Sequence, residues 1–195
     1  MNTAFVLGNG RSRLNIDLNR LRGKGKIYGC NALYREFSPD VLVSVDIKMV
    51  IEICTSGYHN THEVWSNPNS KFIEYTNLKL FSNPKGWSSG PTALLKSCLD
   101  RHERVYILGF DFQGINDRLN NVYANTKNYR SSNDPATYFG NWMKQSETIF
   151  REYNNVEFIR VNEAGAYIKR DWQMINNFKD IYYNEFNKIL DSFES

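Results

Sequence analysis

A chain of 195 residues is long enough to bury one substantial core and short for two enzyme domains. Its composition, 41% hydrophobic, 23% charged and 14% aromatic, excludes a disordered chain or a fibrous repeat. A formal net charge of +3 permits contact with phosphate-bearing ligands and is too small to mark a nucleic-acid surface by itself.

Apolar runs such as Val41 to Val45 and Val105 to Leu108 stop far short of the roughly 20 residues that cross a bilayer. No charged-then-apolar signal pattern opens the sequence, so a cytoplasmic protein with no membrane contact is expected. The three cysteines, Cys30, Cys54 and Cys98, have no C-x-x-C spacing and read as buried small hydrophobes. The histidines are His59, His62 and His102, and their spacing to carboxylates does not predict a metal site.

Thr3 to Leu7 is a short apolar run that leads into Gly8-Asn9-Gly10-Arg11-Ser12 and then a polar amphipathic stretch, Asn15 to Leu21, so the order predicts strand, glycine loop and short helix or turn. Lys26 to Cys30, ending at Asn31, and Val41 to Val45, closing on Asp46, predict two more buried strands. Phe72 to Tyr75 and Lys79 to Phe81 are short strand candidates. Gly90-Pro91-Thr92 opens an apolar helix through Leu99, with proline suited to the first turn. Arg104 to Leu108 follows as a strand that ends at Gly109-Phe110-Asp111-Phe112.

Gln113 to Pro135 is rich in Asn, Arg, Ser and Asp, and it exceeds the roughly 12 to 15 residues beyond which structureless loops are usually lids or binding loops, or are disordered. Tyr138 to Tyr153 has helical periodicity, Val156 to Val161 predicts a final strand, and Asp171 to Phe193 an amphipathic terminal helix. No linker or repeat interrupts this order. The expectation is one α/β domain over 1–195, Rossmann-like, with a mostly parallel sheet covered by helices on both faces and a lid loop at about 113–135. Ligands in such folds bind beyond the carboxyl ends of the strands.

The loop Gly8, Asn9, Gly10, Arg11, Ser12 stands where backbone N–H groups approach a phosphate or sugar. Arg13 occupies the third glycine position of the dinucleotide fingerprint and Asn31 stands where an acidic residue belongs, which disfavours NAD or FAD. Asn9, Asn31, Asp46, Ser89 and Asp111 fall at strand ends or the loops after them, so a parallel sheet gathers them on one rim. Each alone reads first as a helix or turn cap, whereas the set together reads as a site. Trp87-Ser88-Ser89-Gly90-Pro91 places hydroxyls and free N–H groups at a helix N-terminus, where an anion is favoured. Tyr123, Asn125, Lys127, Tyr129 and Arg130 offer phenol and cationic donors to a leaving phosphate without a metal.

The blocks FVLGNGRS, YGCNALY around Asn31, SSGPTALL around Ser89 and RVYILGFDF ending near Asp111 resemble, in residues and in order, the small bacterial sialyltransferases and their relatives; a later VNEAGAY segment looks like that family's last strand and loop. The family uses a CMP-sugar donor on a Rossmann-like sheet. The resemblance implies that Asn9, Gly10 and Asn31 hold the nucleotide, that Ser89 and Gly90 lie by the donor phosphate, and that Tyr123 and Tyr129 assist its departure. One departure matters: the family's general base is a histidine after the lid, and Thr137-Tyr138-Phe139-Gly140-Asn141 contains none. Asp46 and Asp111, with Asp134, are then the carboxylates to test as base.

The expected activity is metal-independent glycosyl transfer from a nucleotide-sugar to an acceptor hydroxyl, with no further cofactor. Arg11, Arg13, Arg20, Arg22, Lys24 and Lys26 form a basic cluster in sequence, so the acceptor is either a hydroxymethylated DNA base, as in phage-type DNA modification, or a glycan; the cluster reads equally as a solvated helix face. The competing expectation is a catalytically silent nucleotide-binding protein that keeps the donor cradle. Aromatic residues near the C-terminus suggest a homo-oligomer.

Overall fold

Eight strands pair into a single open sheet in the computed structural model, which describes residues 2–193; the remaining positions of the expected 1–195 domain lie outside the described residues. In chain order the elements are β1 (Thr3–Leu7), β2 (Lys26–Cys30), β3 (Val41–Val43), α1 (Ile47–Thr55), β4 (Val64–Ser66), β5 (Lys79–Leu80), α2 (Ser89–Leu99), β6 (Arg104–Leu108), α3 (Gly140–Glu152), β7 (Glu157–Asn162), β8 (Phe178–Tyr182) and α4 (Tyr183–Ser192). Strand order is β5-β4-β3-β2-β1-β6-β7-β8, and every pairing is parallel.

Continuous apolar strands require cover on both faces. Successive side chains of β1 alternate, so Phe5 and Leu7 join the core beneath α1 and α4, with Met49, Ile53, Phe186 and Leu190, whereas Ala4 and Val6 join the core beneath α2 and α3, with Leu94, Ile149 and Phe150. All three cysteines are free and buried, and burial pushes the Cys30 and Cys98 thiols up to about 12. Among the described residues no helix is long and apolar enough to cross a membrane.

Two predicted elements change. Phe72 to Tyr75 is not a strand: Ser70–Phe72 is a 3-10 turn that buries Phe72 as an anchor. The expected helix from Asp171 to Phe193 divides into a 3-10 turn at Arg170–Met174, the edge strand β8 and the helix α4. The reason is visible at Asn177, whose amide donates to the carbonyls of Phe150, Tyr153 and Val156 at 2.9 to 3.0 Å and turns the chain out of any helix. Beyond it Phe178 and Ile181 enter opposite cores, as residues three apart do in a strand, and Asp180 receives the buried Arg160 at 2.6 Å. Two further elements, α1 and β4, are not predicted by the apolar runs.

Segment 113–135 has no regular secondary structure, yet it is fastened down. Val122 N–H donates to the Asn9 carbonyl at 2.8 Å, and Arg35 donates to Thr126 Oγ1 and to the Lys127 carbonyl, each at 2.8 Å.

Candidate functional site

The chain moves outward from β1 through β5, then returns to place β6 on the other side of β1, so the direction in which strands are added reverses between β1 and β6. That reversal opens a crevice at the carboxyl ends of the two strands. The loops that follow them pack backbone to backbone: Gly8 N–H donates to the Leu108 carbonyl at 2.7 Å and Gly10 N–H to the Gly109 carbonyl at 2.9 Å. A Cβ on Gly8 would stand 2.5 Å from the Gly109 oxygen, and one on Gly10 would stand 2.5 Å from the Asp111 carboxyl group. These glycines therefore serve first to let two loops touch; the access they give a ligand is secondary.

Between these loops and the N-terminus of α2 lies a cleft of about 440 Å³, within the usual range for small-ligand sites. Asn9, Asn31, Asp46, Ser89 and Asp111 all line it, as do Gly8, Gly10 and Gly90. Asn9 is 7% exposed; its amide donates to the Cys30 carbonyl at 3.1 Å, and its Oδ1 is buried with no hydrogen-bond partner among the described residues. Asn31 follows β2 at a left-handed φ of 54°, a conformation asparagine tolerates, and its Oδ1 accepts from Ser44 Oγ at 2.9 Å. Phe112, also left-handed at φ 51°, carries real strain at the rim, since a bulky residue is seldom found there.

Ser88 is the N-cap of α2, but its side chain does not cap the helix: its Oγ accepts from Trp142 Nε1 at 2.5 Å. Ser89 Oγ accepts from Val45 N–H at 3.1 Å. Both hydroxyls thus brace neighbouring elements. The N–H groups of Ser89 and Gly90 have no intrahelical acceptor and are left at the cleft; Pro91 has no N–H, and that of Thr92 donates to the Ser88 carbonyl at 2.9 Å. An anion suits that position.

The two aspartates differ. Asp46 is exposed and caps α1, one carboxylate oxygen accepting from Met49 N–H at 3.1 Å. Asp111 accepts from Ser12 N–H at 3.1 Å, from Ser12 Oγ, and from Asn120 Nδ2 at 2.9 Å, which ties the loops after β1 and β6 to segment 113–135. Asp134 instead holds the 113–135 segment together through Arg130 and Ser131 and does not line the cleft.

Four residues read as part of the donor cradle stand outside the cleft lining. Ser12 is buried on Asp111, and Arg11 is exposed, with its backbone N–H on Asn120 Oδ1 at 2.9 Å. The Tyr123 hydroxyl donates to Glu36 at 2.5 Å and accepts from Arg13 at 2.8 Å, and the Tyr129 hydroxyl accepts from Ala32 N–H at 3.4 Å. Burial raises both phenol pKa values above the ordinary range, so these rings act as posts under the segment. The basic cluster also disperses. Arg13 is buried, Arg20 pairs with Asp191 at 2.7 Å, Arg22 lies over the Phe37 ring, and Lys26, at the amino end of β2, reaches Asp100 at 3.5 Å. His102 is on that far edge too, bonded with Tyr28 and Asn2.

The structure adds lining residues to which the motifs assign no role, Trp87 among them although it opens the Trp87-Ser88-Ser89-Gly90-Pro91 motif. Segment 113–135 contributes Asn120 and Asn121 to the cleft, and Trp87, Phe139 and Trp142 line it near α2 and α3. Phe139 and Trp142 had been legible as the apolar stripe of a helix. The signal that separates them from core residues is their place at its N-terminal end, where α3 meets the cleft. Among the described lining residues only Asp46 and Asp111 carry charge, and none is Lys, Arg or His.

No protein-family model matches the sequence. No curated protein matches it either. Among solved structures the fold is similar to the sialyltransferase CstII from Campylobacter jejuni, determined in complex with a substrate analogue, cytidine-5'-monophosphate: TM-score 0.56, 16% identity, covering 82% of this chain and 79% of that one.

Proposed function

We propose that the protein is a glycosyltransferase that draws a sugar from a nucleotide-sugar donor, with a CMP-sugar, which releases cytidine monophosphate, the best fit. The observation that carries this reading is the convergence of Asn9, Asn31 and Ser89 on one cleft at the reversal point of a parallel sheet. The unpartnered Asn9 Oδ1 suits an N–H or O–H of base or ribose, and the open N-terminus of α2 suits a phosphate. The structural likeness to a protein solved with cytidine monophosphate supports the choice of nucleotide.

In this reading the acceptor hydroxyl attacks the anomeric carbon and the phosphate leaves with the bonding pair, stabilised by helix N–H groups already in place. Asp46 receives the hydroxyl proton. Its second carboxylate oxygen is not engaged in the cap, whereas both oxygens of Asp111 are occupied.

Calorimetric titration with CMP, UMP and GMP tests the donor site: CMP binds most tightly, and Asn9→Ala weakens it about ten-fold or more, the scale of one lost buried hydrogen bond. Equal affinity for the three nucleotides, or no binding, removes the reading. Among the described lining residues none is histidine, which favours a second reading, a silent nucleotide-binding protein; CMP binding without turnover of any CMP-sugar identifies it.

A further inference from the structure

Arg160, in the middle of β7, is 1% exposed and does not line the cleft, yet its guanidinium reaches three separate segments. Nε donates to Asp180 Oδ1 on β8 at 2.6 Å, Nη2 to the Tyr167 carbonyl after β7 at 2.6 Å, and Nη1 to the Phe110 carbonyl in the loop after β6 at 3.4 Å. The rings of Phe112 and Trp172 flank it at 5.6 and 5.8 Å. Asp180 also accepts from Asn162 and Gln173, each at 2.6 Å, so the ion pair is nearly sealed from water. Replacing a buried ion pair by apolar groups of like volume often leaves a fold as stable or more so, and stability alone is therefore no reason for this one.

What the guanidinium touches is the strained part of the cleft. In the turn after β6, Gly109 at φ 70° and Phe112 at φ 51° are both left-handed, and a phenylalanine stays there only where its surroundings impose it. Phe110, between them, has its ring wedged against two walls of the cleft: a Cβ on Gly8 would stand 2.8 Å from that ring and one on Gly90 3.3 Å from it. Phe110 thus sets the spacing between the glycine loop and the N-terminus of α2.

We infer that Arg160 is a positioning residue for nucleotide binding: seated on Asp180, it holds the turn from Gly109 to Phe112 in its left-handed form and so keeps the two walls of the cleft at the separation a nucleotide needs. This rests on the nucleotide-binding reading above. The planar fork of five N–H donors grips acceptors in several directions at once, which the single ammonium of lysine cannot do. The edge strand β8 acts on the cleft through the same pair, although none of its residues lines it.

The test measures CMP affinity by calorimetry and Tm by thermal melts on the full chain. The double variant Arg160→Met/Asp180→Asn removes both charges, fills the slot between the rings and keeps an acceptor for Asn162; its Tm stays within about 5 °C of wild type while CMP affinity falls about ten-fold or more. Arg160→Lys keeps the charge and the pair with Asp180 but not the fork, and weakens CMP about three-fold or more; it carries the test if the double variant does not fold. A control, Arg104→Met/Glu157→Gln, removes the part-exposed ion pair at the amino ends of β6 and β7 and leaves CMP affinity within about two-fold whatever it does to Tm. CMP affinity within about two-fold of wild type in the folded double variant, or in Arg160→Lys where the double variant does not fold, overturns the inference. So does an equal loss in the control, which would mark a general loosening of the sheet. Failure of the wild-type chain to bind CMP removes the parent reading, and the positioning role with it.

Discussion

Substituting the two cleft aspartates one at a time separates chemistry from architecture. Asp111 accepts from Ser12 N–H, Ser12 Oγ and Asn120 Nδ2, and Ser12 is itself only 3% exposed, so removing the carboxylate strands donors that have little water to turn to. A hydrogen bond to a charged group contributes about 1.5 to 3 kcal/mol, and three that share one partly exposed acceptor are not additive, so Asp111→Ala costs about 3 kcal/mol in all. For a chain of this length that lowers Tm by about 6 to 12 °C. Asp111→Asn keeps one acceptor oxygen and costs about half as much. Asp46 behaves in the opposite way. Asparagine caps a helix about as well as aspartate, so Asp46→Asn leaves Tm within about 2 °C. It cannot take a proton, so glycosyl transfer falls about 10²- to 10⁴-fold. Thermal melts and initial-rate assays on both variants decide the matter. If Asp111→Asn abolishes transfer at unchanged Tm while Asp46→Asn remains active, the assignment of base and clamp is reversed and the argument from occupied lone pairs fails.

Tyr123→Phe removes a hydroxyl that joins Glu36 to the buried Arg13; it lowers stability by about 1 to 2 kcal/mol in urea titrations and leaves CMP affinity within about two-fold. A loss of CMP affinity much larger than that, with stability intact, would place the phenol at the phosphate after all. Acid stability has a second handle in Glu147, which accepts from Lys169 at 2.6 Å, from the indole N–H of the buried Trp172 at 2.9 Å, and from Arg151. The Lys169 bond is the largest cause holding its carboxyl down to about 2 from an ordinary 4.5. A depressed carboxyl means the unfolded chain binds the proton first, so the stability carried by Glu147 is complete above about pH 4.5 and is lost as pH falls towards about 2. Urea midpoints measured across that window show a flatter acid slope in Glu147→Gln, and an unchanged slope refutes the assignment.

The strands were legible because burial on both faces writes itself as short apolar runs, and Thr3 to Leu7 and Arg104 to Leu108 need no context to be seen. What was not legible is where a local pattern is overruled from a distance. Phe178 and Ile181 fit a helical stripe in sequence, but three carbonyls from α3 and the loop after it capture the Asn177 amide and start a strand instead. Tyr123 and Tyr129 looked like donors because a polar loop suggests solvent, and nothing in their neighbours along the chain announces Glu36 or Ala32, far away in sequence.

The same distinction applies to the glycine loop, whose place after a strand is legible in the sequence and whose packing cause is not. Gly8 and Gly10 follow a strand, which is what a phosphate cradle requires, and the sequence alone makes ligand approach the natural reason for missing side chains. The structure gives a prior reason, because a Cβ at either position collides with Gly109 or Asp111 in the loop after β6, across the reversal point. Loop contact and ligand access are then one constraint: the closeness that excludes a side chain also draws Asn9, Asp111 and the end of β2 to a common rim. A protein that lost its ligand would still need these glycines. Within the convergence of Asn9, Asn31 and Ser89, Asn9 Oδ1 therefore weighs most: it is a buried acceptor without a partner among the described residues, which the fold alone gives no reason to keep.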